Sequence, residues 1–393
     1  MGLLRGSVRF VGFIKLAILA RILTPSEFGI FGIAALMLAF LEVMTETGIN
    51  VFLVQEEGKL EEYISTSWLV SIIRGFLISI LLISFSPIIA LFFKSPDARH
   101  ILMLISIVPF LRGFINPAIV KFQKKLQFHK EFLFRISIYS FDAIVAVILA
   151  FITQKAESLV WGLTAGVLLE IILSFMIIKP RPTFNFELHK IKKVINRGKW
   201  MTFAGIFNYL FYNGDDMVVG RLLNTGSLGL YQVAYKIATL PIFEISEVIG
   251  KVTFPIYVKI TNDRIRIWQA FKKVTIFTSL IVIPFGIIMV AFTKPIVLIL
   301  LGENWVAAVP VMKVLAVFGT FRALIAPSPA VLLAVKKQEY VMVITLVSIL
   351  GMGITIIPLV LKFGIVGAAY SAIIGSVVSL PVIVYYLRKV LRS

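Results

Sequence analysis

Apolar stretches of about twenty residues recur along this chain from beginning to end, separated by short segments, of which alternate ones gather lysine and arginine. Twenty apolar residues in a helix reach about 30 Å, the thickness of a bilayer's hydrocarbon core. Hydrophobic residues make up 59% of the chain and charged residues only 15%, too few polar side chains to cover so much apolar surface in water. Lipid is therefore the expected solvent, and the fold class is all-α integral membrane protein. The formal charge of +19 is split into short clusters between the apolar stretches, so it does not form the single basic face that nucleic acid would require. The chain has no cysteine, which excludes disulfides, thiolate metal sites and cysteine nucleophiles together.

The first apolar stretch, with Arg5 and Arg9 ahead of it, resembles a signal peptide, but Lys15 interrupts it and Arg21 to Pro25 offers no small-residue cleavage site. It reads as a first span. Spans are expected near 7 to 23, 28 to 54, 65 to 93, 99 to 119, 132 to 152 and 158 to 178, and again near 200 to 220, 227 to 253, 274 to 301, 305 to 334, 340 to 361 and 364 to 387. That makes about twelve transmembrane helices. Lysines and arginines concentrate in alternate loops, around 121 to 130, 179 to 199, 259 to 273 and 336 to 337, so this side and both termini are expected to be cytoplasmic. The same clusters also suit contact with anionic membrane lipid.

The halves repeat. Arg21-Ile22-Leu23 followed by Phe28-Gly29-Ile30-Phe31 returns as Arg221-Leu222-Leu223 followed by Leu228-Gly229-Leu230-Tyr231. Arg112, Ile115 and Pro117 return as Arg322, Ile325 and Pro327, and Pro87-Ile88 as Pro295-Ile296. Offsets of 200, 210 and 208 differ only by short loop changes. Six spans per copy is an even number, so both copies enter on one side and form a parallel internal repeat. The expected organisation is an N-terminal six-helix bundle over 1–185, a cytoplasmic linker over 186–199 and a C-terminal six-helix bundle over 200–393, with a central cavity between the bundles.

Three stretches carry a family resemblance: Ala20 to Gly29, Asp216 to Tyr235 and Leu300 to Ala316. The chain resembles the polysaccharide transporter family, which includes O-antigen and exopolysaccharide flippases, within the multidrug, oligosaccharidyl-lipid and polysaccharide export superfamily, MATE-like in fold. The resemblance implies a cytoplasmic (inner) membrane flippase that moves polyprenyl-diphosphate-linked oligosaccharide outward by alternating access. It also makes other polysaccharide-assembly membrane proteins candidate partners. Some relatives have two further spans, fourteen in all, and the first span here begins almost at Met1, so whether a segment precedes it is left open by the sequence.

Charges inside spans mark the candidate site, because each costs roughly 2.5 to 3.5 kcal/mol in mid-bilayer unless it meets a partner, a cavity or water. They are Lys15, Glu42, Glu46, Arg74, Arg112, Asp142 and Glu170, then Asp215, Asp216, Lys236, Glu244, Glu247, Lys313 and Arg322. Glu42 and Glu46 are expected to share one face of span two, and Glu244 and Glu247 one face of span eight. In the resembling superfamily the first two helices of each bundle line the cavity. That implies a lumen carrying Lys15, Arg21, Arg221 and Lys236 as diphosphate ligands. Glu42, Glu46, Asp215, Asp216, Glu244 and Glu247 are its ion-coupling or cavity residues. The alternative for these four cations is pairing with neighbouring acids or snorkelling to the interface, and it suits Arg21 and Arg221, near span ends, best. Adjacent Asp215 and Asp216 suit Na+ or H+ coupling, or a helix cap paired with Arg221. Prolines 109, 117, 241, 284, 327, 329 and 358 fall inside expected spans as kinks.

His100, His129 and His189 lack metal-ligand spacing, and there is no Gly-rich phosphate loop or nucleophile elbow. Neither a cofactor nor an enzyme activity is expected. Two rival functions remain: a cation-coupled multidrug or small-molecule antiporter, and a membrane polysaccharide polymerase or ligase, which needs a large catalytic loop where only short ones are found. The segment Gln55 to Glu62 replaces the basic, Gly-rich loop of the major facilitator fold.

Overall fold

The structure, a computed structural model, describes residues 2–46, 48–49, 53, 61–183 and 188–392, and its side chains outside 2–5, 188–204, 240 and 391–392. Most of Gln55 to Glu62 lies outside the described residues. Every described element is helical. Residues up to Gly214, with Asn224–Gly226, form one compact unit, and Asp215–Leu223 with Ser227–Ser393 form a second.

In the first unit run α1 (Gly2–Ile22), α2 (Pro25–Met44), α3 (Glu61–Phe92), α4 (Pro96–Ile105) and α5 (Ile107–Arg112). A 3-10 turn (Pro117–Val120), α6 (Lys121–Lys124), α7 (Phe128–Thr153) and α8 (Glu157–Ile177) follow. α9 (Leu188–Leu222) is one continuous helix that contains residues 188–199 of the expected linker, and the division between units falls within it.

The local reasons for these elements are visible in the sequence. Thr24 caps α2 by accepting from the Glu27 amide at 3.4 Å, Pro25 supplies a first-turn residue that needs no donor, and Glu27 sits at the positive end of the helix. α2 then stops at Met44, ten residues before the expected end of span two. Thr45 closes it by donating its hydroxyl to the Leu41 carbonyl at 2.7 Å, and Gly48 takes a left-handed φ of 65°. Glu46 is therefore beyond the helix, which corrects the expectation that it shares a helical face with Glu42. Prolines 117 and 327 also differ from expectation: both start short helices after a break, where a missing N–H leaves no carbonyl unsatisfied. Pro241, Pro284 and Pro358 do lie inside helices.

The second unit contains α10 (Thr225–Lys259), α11 (Arg264–Ala291), α12 (Thr293–Leu300), a 3-10 turn (Glu303–Ala308), α13 (Val309–Ile325), α14 (Pro327–Ala334), α15 (Gln338–Phe363) and α16 (Ile365–Arg392). Asp263 caps α11 by accepting from the Arg266 amide at 3.0 Å.

Backbone geometry recurs between the units at a constant spacing. Left-handed residues occur at Lys94, Leu126 and Gln154 in the first and at Gly302, Lys336 and Gly364 in the second, offsets of 208, 210 and 210. Helix crossings recur as well. A Cβ on Gly75 would stand 2.2 Å from the Pro109 carbonyl oxygen, and one on Gly286 would stand 2.1 Å from Thr320 Oγ1. Both glycines and both partners are 211 residues apart, so each unit contains the same close crossing at the same place.

Among the described residues, eight helical segments are long and apolar enough to cross a membrane, or nine when the pair Pro96–Arg112 and Pro117–Lys124, bent by 70°, is one span. α1, α9 and α10 are not among these segments and carry charges such as Arg9, Lys15, Asp215, Asp216, Lys236 and Glu244. Large apolar side chains remain exposed on the helices, Leu91 at 77% and Ile354 at 75%, as lipid contact requires.

Candidate functional site

In the first unit the charges inside helices meet one another. Lys15, on α1, donates from Nζ to Asp142 Oδ1 on α7 at 2.7 Å, and the two side chains are only 15% and 9% exposed. α8 packs closely there: a Cβ on Gly162 would come within 2.8 Å of Asp142 Oδ1, and one on Gly166 within 3.0 Å of Asp142 Cβ. The ion pair is thus enclosed between three helices, and Lys15 is oriented by a carboxylate that sequence reasoning counted among the span charges but did not couple to it.

A second cluster is more open. Arg112 donates from Nη1 to Glu42 Oε1 at 2.5 Å, with side-chain exposures of 38% and 30%. Arg74 donates to the Glu42 backbone carbonyl at 2.5 Å and to Thr45 Oγ1 at 3.2 Å, and its Nη2 stands 3.5 Å from Glu46 Oε2. Glu46 also accepts from the Gly48 amide at 3.0 Å. The early end of α2 is what makes this possible, because the freed carbonyl of Glu42 and the hydroxyl of Thr45 become ligands for a guanidinium. Glu170, on α8, lies within the fields of Arg135 and Arg112.

In the second unit Asp215 is buried and accepts from the Tyr231 hydroxyl at 2.7 Å and from the Asp216 amide at 3.0 Å. Tyr231 is itself fully buried, and nothing in the spacing of a tyrosine sixteen residues downstream singles it out as the partner. Gln232 hydrogen-bonds the Asp216 carboxylate and Lys236 acts on it electrostatically, while its Oδ1 is buried with no hydrogen-bond partner. Arg322 acts on Asp215 from α13 and lies over the rings of Phe243 at 5.4 Å and Phe318 at 5.8 Å.

The other predicted residues are more dispersed. Lys236 and Arg21 are exposed, Arg221 and Glu244 are half-buried, and Glu247 pairs with Lys251 one turn further along α10. Among the described residues no group of three or more His, Cys, Asp or Glu is placed to hold a metal ion.

Helices of this length, with charge pairs enclosed between them and apolar side chains facing outward, define a multi-pass membrane protein. Solved structures share the fold. One is a lipid II flippase MurJ in an inward closed conformation, with a TM-score of 0.76 at 17% identity over 99% of this chain and 88% of that one. An inward-facing multidrug resistance MATE transporter gives 0.73 at 12% identity over 98% and 95%. The model of the family described as polysaccharide biosynthesis protein matches residues 18–310, and the chain belongs to that family. It is a multi-pass membrane protein of that family, with a fold shared with solved transporters. Relatives include the teichuronic acid biosynthesis protein TuaB of Bacillus subtilis (strain 168), 26% identical over 84% of this chain and 69% of that one. The lipopolysaccharide biosynthesis protein WzxC of Escherichia coli (strain K12) is 23% identical over 84% and 67%.

Proposed function

We propose that this chain is a flippase that carries a lipid-linked oligosaccharide between membrane leaflets by alternating access, for polysaccharide export. The observation that carries this reading is the open cluster of Arg74, Arg112, Glu42 and Glu46 in a member of the polysaccharide biosynthesis family. Charges a third exposed within span helices are expensive against lipid and inexpensive against an aqueous lumen. A diphosphate crossing that lumen needs donors it can exchange. Guanidinium groups already held by carboxylates can pass from Glu42 or Glu46 to a phosphate without being left uncompensated.

Twelve spans in two six-helix bundles around a central cavity is the architecture this reading takes. The nine apolar segments supply nine spans, and α1, α9 and α10 supply three more, whose charges face the cavity. The recurring left-handed residues and the paired Gly75 and Gly286 crossings support a parallel duplication. The boundaries 1–185, 186–199 and 200–393 remain the proposed divisions, with the basic loops and both termini in the cytoplasm.

Within that lumen Lys15, Arg21, Arg221 and Lys236 are the proposed diphosphate ligands, and Lys15 must exchange Asp142 for substrate to act as one. Glu42, Glu46, Asp215, Asp216, Glu244 and Glu247 are the proposed coupling or cavity residues, with Na+ or H+ as the coupling ion. Even one such ion moving through the membrane potential supplies roughly 2.3 kcal/mol per 100 mV.

The test is restoration of surface glycan in a host whose own flippase has been deleted. The intact chain should restore display, and Lys236→Ala and Arg112→Ala should abolish it at normal protein levels. Full display by a Lys15→Ala/Lys236→Ala double variant would remove those lysines from the mechanism. Robust drug or sodium antiport in vesicles that hold no lipid-linked sugar would favour the antiporter instead.

A further inference from the structure

At one end of the second unit, a pocket of about 550 Å³ lies between the turn after α10, the turn joining α14 to α15 and the last turn of α16. Among the described residues four cations line it, Arg264, Lys336, Lys337 and Lys389, and no carboxylate does. Of the described acids nearby, Asp263 serves Arg266 with both oxygens, through its amide at 3.0 Å and its Nε at 3.2 Å, and Glu339 stands 3.6 Å from Lys337. A pocket lined by this many cations suits an anion, which can accept charge-assisted hydrogen bonds from them.

The pocket is built rather than formed by loose side chains. Arg264 donates to the Val390 carbonyl, which ties the start of α11 to the end of α16. Tyr340 and Tyr386 stack at 4.1 Å with planes 9° apart, and the ammonium groups of Lys337 and Lys389 lie 5.7 and 5.6 Å from the Tyr340 ring centre. Lys336 is held in a left-handed conformation with φ 61°.

The anion's attachment follows from the neighbouring surface. An apolar groove of about 600 Å³ runs along α16 past Val377, Pro381, Val384 and Tyr385. Tyr385 is one turn from Lys389 on the same helical face, and its ring is 5.3 Å from that of Tyr386. Tyr385 borders the groove and Tyr340 and Lys389 border the cationic pocket, so the two are neighbours on α16 beside aromatic rings, the side chains that settle at a membrane interface. A phosphate with an acyl chain fills both.

We infer that this pocket and groove hold one anionic phospholipid, its head-group phosphate among Arg264, Lys336, Lys337 and Lys389 and an acyl chain along α16. Basic pockets at the ends of membrane helices take phospholipid head groups in this way. The inference does not depend on the flippase reading, because none of these residues is among the proposed substrate or coupling groups.

The experiment uses the purified full chain in detergent, titrated with phosphatidylglycerol, with phosphatidylcholine and with inorganic phosphate, followed by native mass spectrometry and thermal unfolding. Phosphatidylglycerol should be retained one to one and raise the unfolding midpoint, while phosphatidylcholine does neither. Lys336→Asn/Lys337→Gln should weaken retention roughly thirtyfold, the effect of removing two interfacial cations, with unfolding in phosphatidylcholine unchanged. Lys336→Arg/Lys337→Arg should keep it. Tyr385→Ala should weaken phosphatidylglycerol alone. Equal retention of both lipids, or undiminished retention by the asparagine–glutamine variant, overturns the site. Protection by inorganic phosphate equal to that by phosphatidylglycerol, with no effect of Tyr385→Ala, overturns the lipid assignment.

Discussion

The enclosed pair of Lys15 and Asp142 shows how a single side chain's role is set by what it faces. A cation in a first span reads equally well as a substrate ligand or as half of an ion pair. The geometry adds the second half, 127 residues away. Buried partners of this kind contribute little net stability together but are costly to separate, because removal of one leaves the other charged and uncompensated. Lys15→Met and Asp142→Asn should each destabilise the protein by roughly 3–5 kcal/mol, and the double variant by less than either. Thermal unfolding of the four proteins in detergent measures this; additive losses would mean that the two groups are not coupled. Asp215 and Tyr231 illustrate the same limit at the start of the second unit, since the carboxylate was legible as a span charge and its hydroxyl partner was not.

At the scale of elements, the helices follow the apolar stretches closely, and the departures occur where a short polar device competes with the helix. Thr45 and Gly48 end α2 early, and that ending moves Glu46 off the helix and makes carbonyl ligands available to Arg74. The repeated crossings give a sharper test. A methyl group at Gly75 meets a backbone carbonyl that cannot be trimmed, whereas one at Gly286 meets the hydroxyl of Thr320. Gly75→Ala and Gly286→Ala should each cost about 1–3 kcal/mol from overpacking. Thr320→Ala should recover much of the loss at 286, and no side-chain substitution at Pro109 should recover the loss at 75. Protein level in the membrane and unfolding temperature report both. Gly364, with φ 59° and ψ −140°, is a third such point: Gly364→Ala places a side chain in a region open almost solely to glycine and should cost about 1–3 kcal/mol in the same measurement.

For the molecule as a whole, orientation is the testable property, and the absence of cysteine makes it accessible. Single cysteines at Lys125 and Lys272 should react with a membrane-impermeant maleimide only after cells are opened, and cysteines at Gln154 and Lys362 in intact cells. The reverse pattern would invert the topology. The sequence alone determined that this chain lives in lipid, that it is helical and that its halves repeat, since each of these depends on composition and spacing along the chain. It placed the family as well, through motifs at Ala20 to Gly29 and Asp216 to Tyr235 that lie within or overlap the matched residues 18–310. Only the tertiary structure decided which charges meet: Lys15 with Asp142, Arg112 with Glu42, Asp215 with Tyr231. Apolar periodicity fixes which stretches become helices, but many rotations of a helix bury a similar apolar area. The choice among them is made by close packing at points such as Gly162 against Asp142, which no local pattern encodes.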